Sequence, residues 1–191
     1  METKRIETLV ELEELLKTHT ITVESMDALV DRTCELVYEN FERNNGFFLP
    51  YKDKFMILVD GNYDKRQRGI TVMHEALHAI LWMNGFNTVN RSINLLTGEG
   101  KDLPVSEEHG KIEAAIDREA EKAYEGKKDT YAFYLGELRK LNRVSVKNDL
   151  NETTKNEIWD EIQGYSGEKD DKDFWAKRRA YKRERARRRG G

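Results

Sequence analysis

Apolar residues recur at three- and four-residue intervals along most of this chain, and the places where that rhythm breaks divide it into elements. Residues 3 to 18 set Ile6, Leu9, Val10, Leu12, Leu15 and Leu16 among Glu and Lys, which predicts a surface helix with one apolar stripe. A second helix is predicted from near Thr22, carrying Met26, Leu29, Val30, Cys34, Val37 and Phe41, with Leu36 and Tyr38 widening the stripe. It ends before Asn44-Asn45-Gly46. Pro50 is expected to interrupt regular structure. The short apolar run Phe55-Met56-Ile57-Leu58-Val59, bounded by Lys54 and by Asp60-Gly61-Asn62, then predicts a strand.

A central helix is expected from residue 65 or 66 to 84, with Gly85 at the left-handed position that closes it. Ile70, Met73, Leu77, Ile80 and Leu81 form its core stripe. Residues 86 to 104 are rich in Asn, Thr, Ser and Gly and keep no period, so they read as a long loop or a small irregular subdomain. Ser106-Glu107-Glu108 opens another helix, with acidic side chains at its positive end; Ile112, Ala115, Ile116, Ala120 and Ala123 face the core and Gly126 closes it. A further helix is expected over 130 to 141 through Ala132, Phe133, Leu135 and Leu138. Residues 142 to 153 carry no decisive pattern, and 154 to 163 suit a short helix around Ile158, Trp159 and Ile162. The expected fold is α+β: a mainly helical single domain with a small sheet over residues 1–141. A charged extension over 142–191 follows, flexible at its basic end.

Composition narrows the setting. The 191 residues suffice for one domain of ordinary size, and 38% hydrophobic content allows only a modest core. There is no uninterrupted apolar run of about 18 residues, and the first twenty residues are too charged for a signal peptide, so a cytoplasmic protein without a transmembrane segment is expected. Cys34, the single cysteine, has no internal disulfide partner and reads as a buried structural thiol. The net charge of −3 is unevenly spread. Residues 177 to 191 hold nine Lys or Arg against one Glu, a local charge of +8, which leaves about −11 on the residues before them.

One arrangement carries chemistry that can be named. In His74-Glu75-Ala76-Leu77-His78 two imidazoles four residues apart share one helix face, where both can bind a single zinc ion while the Glu75 carboxylate reaches a water beside it. A catalytic zinc needs a third protein ligand and an open position. His109 and the acids of the helix after Ser106 are the candidates, and Glu113 is favoured: it lies one turn from Asp117, as His74 lies one turn from His78, so two helices can face each other across the ion. Asp117 would then accept a hydrogen bond from the far nitrogen of a liganding histidine and fix its ring. Glu75 would serve as general base and then return the proton to the departing amine. His109, Tyr124, Tyr131 and Tyr134 are candidate donors to the developing oxyanion, none singled out by spacing.

With those residues in place, the chain resembles the ImmA/IrrE family of zinc metallopeptidase-like proteins. The resemblance runs through Met56-Ile57-Leu58-Val59-Asp60-Gly61-Asn62, the charged stretch Asp64-Lys65-Arg66-Gln67-Arg68-Gly69, the helix from Ile70 to Ile80, and Glu113-Ala114-Ala115-Ile116-Asp117-Arg118-Glu119-Ala120. It covers about residues 45 to 125 and implies a zincin-like active-site helix of the gluzincin type. On it His74, His78 and Glu113 would be the zinc ligands and Glu75 the base, with Asp117 or Glu121 the acids that a shifted register would offer. Members of that family include endopeptidases that cleave a specific intracellular protein, often a repressor-like regulator, in bacteriophages, mobile elements or stress responses. The strand at 55 to 59 would offer an edge to an extended substrate.

The basic end suggests a competing role. Trp175, just before the cationic residues 176–191, and Tyr181 within them suit phosphate contacts and base stacking, although no sequence-reading module is present. The alternative to the peptidase is therefore a noncatalytic, metal-binding regulatory or nucleic-acid-associated protein.

Overall fold

The structure is a computed structural model that describes residues 3–42, 44–51, 54–89, 91–93, 100–102, 106–126 and 144–167. Along the chain come β1 (Lys4–Arg5), α1 (Leu9–Leu16), α2 (Val23–Arg32), β2 (Thr33–Glu39), β3 (Gly46–Tyr51), β4 (Lys54–Asp60) and α3 (Lys65–Met83). After α3 follow β5 (Phe86–Asn87), β6 (Arg91–Ile93), β7 (Gly100–Asp102), α4 (Glu107–Gly126), β8 (Val144–Val146) and α5 (Glu152–Gly167). The architecture is α+β and mainly helical with a small sheet. That sheet has the order β3-β4-β2-β8, with β2 parallel to β4 and β8 and β3 antiparallel to β4. Among the described residues no helix is long and apolar enough to cross a membrane.

Local signals place α3. The Asp64 side chain accepts the Gln67 N–H at 2.8 Å and starts the helix, and Gly85 takes the positive φ of 88° that ends it. Thirteen of its nineteen residues are buried, so α3 is an interior helix whose polar side chains must find partners inside the protein. It packs against β3 and β4, against α2 and β5, and along α4. The approach of α4 is close because Ala115, Ala120 and Ala123 are small and because Gly69 lies under the Tyr124 ring, where a Cβ would overlap it.

Several expectations are corrected. The predicted second helix stops at Arg32, and Thr33 to Glu39 is a strand. Leu36, Val37 and Tyr38 are all buried there, because β2 has partners on both edges and is covered on both faces, so its apolar run mimics a helix stripe. Cys34 accordingly sits on β2, part-buried, and its thiol donates to the Phe55 carbonyl. The first helix is shorter than expected, since Thr8 caps it; Ile6 is buried outside it and Val10 is exposed. Pro50 lies within β3, a terminal strand of the sheet among the described residues, where a missing N–H is tolerated. The expected edge at 55 to 59 is not one, because β4 is paired on both sides.

The folded unit also extends past the expected boundary at 141. β8 pairs with β2, while Leu150, Ile158 and Ile162 join the core. Arg68 of α3 and Glu161 of α5 are both buried, and the Arg68 Nη2 donates to Glu161 Oε2 at 2.7 Å. The same guanidinium donates to the Gly61 and Tyr63 carbonyls, which fastens the turn ahead of α3. The irregular region after α3 contains the short ribbon β6-β7. The helix expected over 130 to 141 and the basic residues 176–191 lie outside the described residues.

Candidate metal centre

Three donors converge where α3 crosses α4. His74 and His78, one turn apart, place their Nε2 atoms 3.0 Å from each other. The Glu113 Oε2 lies 3.2 Å from the first and 3.4 Å from the second. A tetrahedral zinc ion with bonds of about 2.1 Å holds its ligands about 3.4 Å apart, so this triangle has the size of one face of such a site. The three donor atoms are the set among the described residues able to hold a metal ion.

The far side of each ring explains why the near side carries a lone pair. Asp117 Oδ1 is 2.8 Å from His74 Nδ1, and a carboxylate accepts, so Nδ1 keeps a proton and Nε2 is the nitrogen that can bind a cation once its own proton is lost. In the ligating tautomer the His78 Nδ1–H donates to the Thr88 hydroxyl at 2.7 Å. With Glu113 this brings three lone pairs to one point, which only a proton or a cation there can satisfy. Charge responds accordingly. Burial works to lower the His74 pKa, but Asp117 and Glu113 outweigh it and push it up to about 10. Burial likewise acts to raise Glu113, yet the two imidazoles hold its carboxyl far below the ordinary carboxylate range. The donor chemistry and spacing both fit zinc.

Glu75 stays out of the triangle and faces β3. It is buried, and burial above all raises its pKa, with His74 and His78 opposing and Glu113 adding to the rise. The nearby Phe48 backbone N–H acts the other way and lowers it. The ladder accounts for that approach: Asp60 N–H donates to Asn45 C=O at 2.7 Å, so antiparallel alternation turns the N–H groups of residues 46 and 48 away from β4. Gly46 is needed at the same seam, where a Cβ would stand 2.7 Å from Thr71 and 3.1 Å from Glu75 Oε1.

The remaining candidates are placed differently. His109 stands one turn before Glu113, and its Nε2 is 3.2 Å from Glu113 Oε1, so it holds the carboxylate oxygen that the other two histidines do not. Burial lowers the His109 pKa. Tyr124 is packed on Gly69, away from the donor triangle. Glu121 is exposed and bound to Arg66 at 2.5 Å, outside the triangle. Tyr131 and Tyr134 lie outside the described residues. Sequence reasoning missed Thr88, Gly46 and the Phe48 N–H. Only the Gly85 helix stop, which sends the chain back past His78, hinted at Thr88, and nothing in the spacing pointed to the other two.

Compared with protein-family models, with curated proteins and with solved structures, the chain has no match.

Proposed function

We propose that this protein is a zinc-dependent endopeptidase of the ImmA/IrrE kind, which cleaves a specific intracellular protein such as a repressor-like regulator. The observation that carries the reading is the triangle of His74, His78 and Glu113 with the buried, non-ligating Glu75 carboxylate beside it. His74, His78 and Glu113 would hold the ion. Such an ion supplies Lewis acidity, which makes water acidic near neutral pH and polarises a carbonyl.

The chain's own residues do the rest. Glu75, with a pKa raised by burial, takes a proton from the attacking water and passes it to the amine as the C–N bond breaks. Asp117 and Thr88 orient the two imidazoles, and His109 steadies Glu113. Among the described residues β3 is the terminal strand beside the triangle, so an extended substrate segment would pair there, in place of the strand at 55 to 59.

Replacing Glu75 with Gln separates this reading from a noncatalytic one. The Glu75→Gln variant should keep its zinc and lose cleavage by a factor of at least about 100, as loss of a general base does. Unchanged cleavage, or none in either protein, would reject the peptidase. The basic residues 176–191 favour a second role in nucleic-acid association. Deleting them should abolish retention on nucleic acid and leave zinc content intact; retention by the shortened chain would reject that role.

A further inference from the structure

Two cavities flank the donor triangle and share His74, Glu75 and Glu113 as a common wall, yet their other walls differ in chemistry. The first, of about 310 Å³, lies toward the N-terminal end of α3 and is completed among the described residues by Asn45, Gln67, Thr71 and Asp117 with one apolar side chain, Ile70. The second, of about 200 Å³, lies toward the C-terminal end and is completed by Phe47, Phe48, Val89, His78 and His109. Asn44 and Gly46 border both. Passing along residues 44 to 48, or along α3 from 67 to 78, therefore leads from a polar chamber to a mixed one, where Phe47, Phe48 and Val89 add apolar wall.

This gradient, on the peptidase reading above, decides which bond is cut. We infer that the site selects a peptide bond preceded by an apolar residue and followed by a polar, non-acidic one. A substrate strand paired antiparallel to β3, the sense that gives the better hydrogen bonds per residue, runs from the Phe48 end toward the Asn44 end. Its residue before the scissile bond then meets Phe47 and Val89, and the residue after it meets Gln67, Thr71 and Asn45. The second chamber is below the roughly 300 Å³ at which small-molecule pockets begin, a size suited to a single side chain. In the polar chamber an apolar side chain would leave amide and hydroxyl groups desolvated without partners. An acidic one would meet the carboxylates of Glu75, Glu113 and Asp117 together. Side chains that donate hydrogen bonds fit both conditions: Asn, Gln, Ser, Thr and Lys.

The test uses the zinc-loaded full-length chain and a randomised peptide mixture, with every cut bond mapped by mass spectrometry. Bonds with Leu, Ile, Val or Phe before and a donor side chain after should dominate, with Asp or Glu after the bond depleted roughly tenfold or more. Gln67→Leu should shift the following position toward apolar residues by about tenfold and leave the preceding one unchanged, whereas Phe47→Ser should relax only the preceding one. Zinc content equal to the parent's shows that each variant is folded. A reversed preference, no preference, or a change at the wrong position overturns the assignment. Failure of the peptidase reading looks different: parent and Glu75→Gln give the same blank map, and the assignment falls with it. A map that depends on Glu75 but lacks the gradient rejects the assignment alone.

Discussion

Arg68 and His78 are buried on the same helix, and each is surrounded by polar groups, but their surroundings are completed in different ways. The Arg68 guanidinium is answered within the chain by Glu161 and by the Gly61 and Tyr63 carbonyls, so that cluster is closed. Around His78 the groups are alike: two ring nitrogens and a carboxylate oxygen lie 3.0 to 3.4 Å apart, all able to bind one cation, and without one a proton on His74 joins them. One cluster closes within the fold, and the other brings together groups that a single cation could join. A buried polar group therefore signals a binding site when its neighbours share its deficit, and a structural staple when they answer it.

The comparison breaks most visibly at Arg68. Replacing it with Met removes the guanidinium paired with buried Glu161 and should cost about 3–5 kcal/mol in denaturant unfolding. Zinc affinity should change only as far as the fold loosens. Gly69→Ala attacks the crossing itself, because the new methyl overlaps Tyr124 and pushes α4, with Glu113, away from α3. A loss of about 1–3 kcal/mol is expected, with weaker zinc binding by titration; unchanged affinity would show that the triangle does not depend on that contact.

The metal side is sharpened by Asp117 and by pH. Asp117→Asn should weaken zinc binding about 10–100-fold, because the carboxylate that orients His74 is lost. In the metal-free protein the His74 pKa is raised above its ordinary value, so the stability it contributes is fully present below about 6.5 and is lost as pH rises toward about 10. Zinc must displace that proton. Its affinity should therefore climb with pH across the same window, by up to about tenfold per unit, and the climb should flatten in Asp117→Asn. A pH-independent affinity would contradict the assigned proton.

These contrasts also explain what was legible from sequence. The helix α3 announced itself because its signals are local: Asp64 and Gly85 at its ends, an apolar stripe and two histidines one turn apart. Glu113 could be proposed since α4 has its own period and small-residue face. β2 could not, because Leu36, Val37 and Tyr38 satisfy a helix period and a buried strand equally, and pairing with β4 and β8 decided between them. The same holds for Glu161, which reaches Arg68 from ninety-three residues away. Phe48 and Thr88 act through a backbone N–H turned by strand alternation and through a turn after a helix, and neither leaves a mark in residue spacing.

The central claim is that His74, His78 and Glu113 are completed by a zinc ion. Elemental analysis of the purified full-length chain, repeated on His78→Ala, tests it most directly. About one equivalent of zinc in the parent, restored after chelation and absent from the folded variant, is the predicted result. A parent that is folded, metal-free and unable to take up zinc would contradict it.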